Sequence, residues 1–251
     1  MNAPVLAAEN LMLAGRLDAV SLVLRPGEVT AICGPNGAGK SSLLAALAGL
    51  LPLDQGRVTL GERALDALPG AERARLLGYL PQTGEVAWDV SVETLVGLGR
   101  LPWPGDQTDS ASQAVAAALA AMDLEALRSR PVSRLSGGER ARALLARVLA
   151  GQPHWLLADE PLAMLDLAHG EVLMARLRAE AQAGRGVAVV LHDLPAAMNR
   201  ADRVVVVSEG RVVADGPPEQ ALAEEVIARI WGVTARWLGE PGARALAIGA
   251  R

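Results

Sequence analysis

The sequence predicts an α/β fold: a mostly parallel sheet with an antiparallel β edge and an α-helical lobe inserted between its strands. Three observations carry that expectation. Short, largely apolar runs, Val29 to Cys33, Trp155 to Ala158 and Val187 to Leu191, read as strands buried on both faces. From about Val90 to Ala150 the strand signals stop and helical ones replace them, through the alanine-rich Ser110 to Met122 and the amphipathic Gly138 to Leu149. Strand signals then resume, so residues 89–150 read as a lobe set into a core formed by 1–88 and 151–215, with 216–251 as a C-terminal extension of one single domain.

Taken in order, residues 19–33 first alternate and then run apolar, with Arg25-Pro26-Gly27-Glu28 as the turn between the two patterns. Lys40 to Leu50 reads as a helix, Gly56 to Gly61 as a hairpin edge and Leu76 to Leu80 as a short strand. Beyond the lobe, a helix around His169 to Ala183 joins two apolar strands, as in a parallel βαβ unit. Arg203 to Ala214 is expected to form a hairpin turning at Ser208-Glu209-Gly210, and Pro217 to Trp231 a helical tail. Val233 to Arg251 carries no readable motif and is expected to pack, with Trp231 and Trp237 as core or interface residues.

Composition removes several classes of function. With 251 residues, 51% of them hydrophobic, the chain can bury a substantial core. Its longest apolar runs, such as Leu43 to Leu51, stop well short of the ~20 residues that span a bilayer, so no transmembrane helix is expected. The opening MNAPVLAAEN has no basic stretch ahead of its apolar residues, unlike a secretory signal, and the one cysteine, Cys33, allows no internal disulfide. Both features fit the cytoplasm. A formal charge of −4 with scattered arginines offers no basic stripe, so nucleic acid is not an expected partner. Lys40 is the single lysine among 24 basic residues, and it lies in a glycine-rich loop. A compact ammonium fits a narrow phosphate cradle where the wide guanidinium fork does not.

Gly34-Pro35-Asn36-Gly37-Ala38-Gly39-Lys40-Ser41 has the spacing of a phosphate-binding loop, with a strand signal before it and a helix signal after it. Its glycines let backbone N–H groups turn inward, the following helix offers its positive end, Lys40 reaches the outer phosphates and the Ser41 hydroxyl can ligate magnesium. A flexible glycine turn is the bland alternative. Asp159 and Glu160 follow the apolar run Trp155 to Ala158, at the carboxyl edge of a buried strand, where binding crevices of such sheets lie. Asp159 would hold magnesium directly or through water, and Glu160 would orient or deprotonate an attacking water. Without the phosphate loop, a solvated capping pair would explain them equally well. Leu135-Ser136-Gly137-Gly138-Glu139 opens a helix and forms a second candidate anion site, or an ordinary serine cap.

In this order, with Gln82 in Tyr79-Leu80-Pro81-Gln82 and His192 after Val187 to Leu191, the motifs resemble the ABC ATPase family over roughly residues 10–215. The resemblance implies a P-loop NTPase core of RecA-like type, with ATP and Mg2+ held by Gly34, Pro35, Asn36, Gly37, Ala38, Gly39, Lys40, Ser41 and Ser42. It implies Ser41, Gln82 and Asp159 around the metal, and Glu160, His192, Gln82 and Lys40 as the catalytic group. Ser136, Gly137 and Gly138 would close over the γ-phosphate held by a second copy, and Asp166 would lie in a loop that crosses between the copies. His154 and His169 receive no such role.

The implied assembly is a homodimer on two integral-membrane permease subunits, served by an extracytoplasmic substrate-binding protein, with this chain peripheral at the cytoplasmic face of the inner membrane. Within the family, Asp89 to Arg100 and Leu165-Asp166-Leu167-Ala168-His169 resemble the ATPases of iron-siderophore, haem and cobalamin importers. An exporter ATPase and a non-transport nucleotide-binding regulator stand as alternatives. A chromosome-maintenance ATPase fits poorly, because no heptads separate Lys40 from Ser136, and a ribosome-acting factor would carry two cassettes. One departure stands out. Where the family places an aromatic ring over adenine, this chain reads Leu13-Ala14-Gly15-Arg16, and Arg16 could stack its guanidinium plane there instead. Ala163 and Ala141 replace residues that are often serine and glutamine, and neither change removes a reacting group.

Overall fold

A computed structural model describes residues 3–82, 89–103, 109–163 and 165–249; the expected boundary at 88/89 and Met164 of the crossing loop lie outside them. Strands β1 (Leu6–Leu13) and β2 (Leu17–Leu24) form an antiparallel hairpin, followed by the wholly buried β3 (Val29–Cys33). Helix α1 (Lys40–Leu47) ends three residues before the expected Leu50, because Gly49 turns left-handed (φ 67°) and closes it. β4 (Gln55–Leu60) and the short β5 (Arg63–Ala64) complete an antiparallel sheet in the order β2-β1-β4-β5. Helix α2 (Gly70–Leu76) then feeds β6 (Leu77–Leu80).

The next helices are α3 (Val92–Gly97), α4 (Asp109–Ala121) and α5 (Gly137–Ala150), which pack on one another. Ser91 caps α3 by accepting from the Thr94 N–H at 3.1 Å. β7 (Trp155–Asp159), α6 (Leu167–Gln182), β8 (Gly186–Val190), α7 (Leu194–Arg200), β9 (Arg203–Ser208) and β10 (Arg211–Gly216) follow. The β9–β10 turn falls at Glu209 and Gly210, both at positive φ, as the right-handed twist of a tight hairpin requires. The expected helical tail is interrupted at Leu222 and Ala223, giving α8 (Pro218–Ala221) and α9 (Glu224–Trp231). The extension then adds a hairpin absent from the sequence reading, β11 (Ala235–Leu238) with β12 (Ala245–Ile248).

The main sheet has the order β10-β9-β3-β8-β7-β6, parallel from β9 to β6 and antiparallel at its β10 edge. Its central strands are apolar but for Thr30 in β3 and Asp159 at the end of β7, because successive side chains enter opposite cores. Val29, Ala31 and Cys33 of β3, Leu156 and Ala158 of β7, and Val187 and Val189 of β8 join the core shared with α3 to α7. Ile32, Leu157, Ala188 and Val190 join the core beneath α1 and the antiparallel sheet. At about 1.5–3 kcal/mol per fully buried aliphatic side chain, these two layers are the main stabilising term. The register pairs Ile32 with Val190 and Val190 with Asp159, so β3, β8 and β7 end along one line. Everything that leaves those three strands leaves at one edge.

Candidate functional site

The chain leaving β3 enters the glycine loop against the β9–β10 hairpin. Gly34 sits at φ 153° with its Cα so close to β9 that a Cβ would lie 2.0 Å from the Val207 carbonyl oxygen, so only glycine fits. Gly39 is the N-cap of α1 at φ 100°, and a Cβ there would meet the Arg16 carbonyl at 2.4 Å. Gly210 braces the loop from the other side, donating its N–H to the Ala38 carbonyl at 3.0 Å. The sequence reading treated residues 208–210 only as a turn; their contact with the phosphate loop depends on sheet order, which no local pattern states.

Gly39 offers no side-chain cap, so the first amides of α1 are open toward the loop. Lys40 is buried, and its ammonium donates to the carbonyls of Gly34 at 2.9 Å and Pro35 at 2.8 Å. Burial lowers its pKa, while the carboxylates of Glu160 and Asp159 and the Cys33 thiol act in the opposite sense. Burial also pushes the Cys33 thiol up to about 12, which keeps it protonated and inert beneath the loop.

The Ser41 hydroxyl donates to Asp159 Oδ1 at 3.1 Å. Asp159 is buried at the end of β7, and desolvation raises its pKa against the opposing Ser41 hydrogen bond. Two hard oxygen donors in contact, one of them anionic, are the donor set magnesium takes, so these residues fit the metal. Glu160 follows in the left-handed region (φ 49°), a conformation that costs a non-glycine residue of order 1 kcal/mol and turns its carboxylate out of the strand. Gln82 Nε2 donates to Glu160 Oε2 at 2.6 Å, and His192 Nε2 pairs with the other Glu160 oxygen.

Gln82, Glu160, His192, Asn36, Gly37, Ala38, Gly39, Lys40, Ser41 and Ser42 therefore line one cleft of about 590 Å³, together with Gly15 and Arg16. The structure does not bring the second candidate anion site to this cleft. Ser136 caps α5 and accepts from the Glu139 N–H at 3.2 Å, while Glu139 Oε2 accepts from the Ser136 N–H at 2.7 Å. Neither Ser136 nor Gly137 nor Gly138 lines the cleft. Asp166 caps α6 through the His169 N–H at 2.9 Å and also bonds that histidine's Nδ1 at 2.8 Å. His154 contributes its backbone to the strands beside it. Among the described residues, no helix is long and apolar enough to cross a membrane.

The family model described as ABC transporter matches residues 17–163. The chain is 45% identical over 217 residues to the hemin import ATP-binding protein HmuV of Rhodococcus jostii, covering 86% of this chain and 74% of that protein. It is 43% identical over 233 residues to the protein of the same name in Streptomyces coelicolor, covering 92% and 83%. Among solved structures, cbiO1 of Clostridium perfringens, part of the ABC transporter complex cbiONQ, superposes with a TM-score of 0.76 at 27% identity over 90% of this chain and 94% of its own. A metal-chelate type ABC transporter in an inward-facing conformation shares the fold over 100% of this chain and 98% of its own, with a TM-score of 0.83 at 23% identity. With the cleft and its motifs in place and these matches spanning most of the chain, this protein belongs to the ABC transporter ATP-binding family and is an ATPase subunit.

Proposed function

We propose that this chain powers haem import, hydrolysing ATP with Mg2+ as a homodimer on the cytoplasmic face of a membrane permease that an extracytoplasmic binding protein supplies. The observation that carries the cargo is the 45% identity to a hemin import ATP-binding protein over 86% of the chain. No observation favours the exporter or regulator alternatives.

The residue roles rest on the cleft. Lys40 exchanges its two loop carbonyls for phosphate oxygens, to which its ammonium bonds more strongly because they are charged. Ser41 and Asp159 hold magnesium, which when bound neutralises charge on the phosphates. Glu160 takes the proton of the attacking water as general base. Gln82 and His192 hold its carboxylate from both sides and fix where that base points. Ser136, Gly137 and Gly138, outside the cleft of their own chain, serve the cleft of the second copy.

Growth on haem as the sole iron source tests the whole reading. Deleting the gene should abolish that growth, the parental gene should restore it, and a Glu160→Gln copy expressed at the same level should not. Undiminished growth of the deletion strain would remove haem as the cargo, and rescue by Glu160→Gln would remove Glu160 as the base.

A further inference from the structure

The turn that opens α5 is closed by one carboxylate with two holders. Glu139 Oε2 accepts from the Ser136 N–H at 2.7 Å, and Glu139 Oε1 accepts from the Arg130 guanidinium at 3.4 Å. The first contact is fully made, and the second is longer than the about 2.7–2.9 Å of a charge-assisted bond. The N–H groups of Gly137 and Gly138 begin the helix and have no carbonyl a turn earlier to bond. An anion drawn to them meets the negative charge of Glu139 beside it.

Arg130 has a fixed backbone and a reaching head. Its N–H donates to the Leu127 carbonyl at 2.8 Å, and its carbonyl accepts from the Val92 N–H at 3.0 Å, at the start of α3. Farther along, the Val132 N–H donates to the Val90 carbonyl at 2.9 Å, and Asp89 Oδ1 accepts from the Ser133 N–H at 3.1 Å. The chain leading into Ser136 is thus held along its length by the segment leading into α3. The Arg130 side chain is exposed, and among the described residues its guanidinium bonds only Glu139. A guanidinium is a fork that can take both oxygens of one carboxylate, and here it takes one, through one nitrogen.

We propose that Arg130 is a positioning residue for ATP-driven dimerisation: as the partner copy's phosphate reaches the Ser136-Gly137-Gly138 turn, Glu139 releases the Ser136 N–H and its carboxylate closes with both oxygens on Arg130. This rests on the reading that the turn serves the cleft of a second copy. The freed Ser136 N–H and the phosphate replace the bond that Glu139 gives up, while the long contact to Arg130 shortens into a full one. Arg130 therefore stabilises the open turn more than the closed one, which is the condition for shifting the equilibrium between them. Without it, the displaced carboxylate would stay unpaired beside the phosphate, like charge against like. Arg130 acts through Glu139 and not on the nucleotide.

Light scattering against ATP concentration, with Mg2+, tests this in chains that all carry Glu160→Gln so that turnover does not drain the dimer. Melting curves confirm folding, and filter binding of labelled ATP to dilute chain gives the affinity of the monomer. Arg130→Ala should raise the ATP concentration of half-dimerisation about fivefold, within the range of exposed ion pairs, and leave monomer affinity within about twofold. Arg130→Lys, which keeps the charge and loses the fork, should fall between the two. Glu139→Gln keeps an oxygen for the Ser136 N–H and removes the charge, so it should dimerise at lower ATP. In that background Arg130→Ala should shift the midpoint by less than about twofold, because the group it acts through is gone. An equal shift in both backgrounds would make Arg130 a direct contact to the partner's phosphate. A shift to lower ATP in Arg130→Ala would make it the lock that keeps Glu139 closed, and no shift would remove it from dimerisation. Each of these overturns the proposal and leaves the second-copy reading intact. ATP binding by the otherwise parental chain with no dimer at any ATP concentration would overturn both.

Discussion

The phosphate loop and the Ser136-Gly137-Gly138 turn each place glycines at the start of a helix, yet they differ in what already satisfies them. At α1 the cap is Gly39, which has no side chain to spend, and the nearby cation is Lys40, bonded only to loop carbonyls. At α5 the cap is Ser136, whose hydroxyl is taken by Glu139, and the Glu139 carboxylate already sits at the positive end of the helix. The first is a receptor for an anion in a single chain. The second is closed on itself, and on the proposed reading it would contribute to a site only where a partner's phosphate competes with Glu139.

The largest effect should come from the open site. Lys40→Ala should weaken ATP binding by about 100-fold, since charge-assisted hydrogen bonds to phosphate oxygens are worth about 1.5–3 kcal/mol each. Calorimetry measures it directly, and an unchanged affinity would mean that the loop binds through its amides alone. Ser136→Asp sharpens the contrast, because aspartate caps a helix as well as serine does while repelling phosphate. It should melt within a few degrees of the parent and bind ATP normally as a monomer. It should also lose ATP-driven dimerisation by light scattering, and a retained dimer would mean that the Ser136-Gly137-Gly138 turn meets no phosphate. The smallest effect lies in the lobe alone: Ser91→Ala should cost about 1 kcal/mol in denaturant unfolding through its lost cap and leave nucleotide affinity unchanged. A change in affinity would show that the lobe's first helix is coupled to the cleft.

What the sequence made legible follows the same division. The central strands were readable because burial on both faces turns period two into nearly solid apolar runs, as in Trp155 to Ala158 and Val187 to Leu191. The glycine loop, Asp159, Glu160 and His192 could be singled out because each follows such a run. β1 was not readable, since register shifts between Ala8 and Leu11 and between Leu11 and Leu13 break its alternation. The C-terminal hairpin was missed for a different reason: its strands are four residues each and largely exposed, and Trp237 is anchored through the Leu222 carbonyl rather than by a pattern of its own. The approach of Arg16 to Gly39 and the bond from Gln82 to Glu160 join segments far apart in the chain, and no spacing rule contains them.

The solitary lysine has a practical consequence. Apart from the chain's N-terminal amine, Lys40 is the only primary amine in the molecule, and it lies at the centre of the cleft with its pKa lowered by burial. An acylating reagent therefore has a single internal address. The mass added at that address, read on its own peptide apart from the N-terminal amine, should fall as the cleft fills.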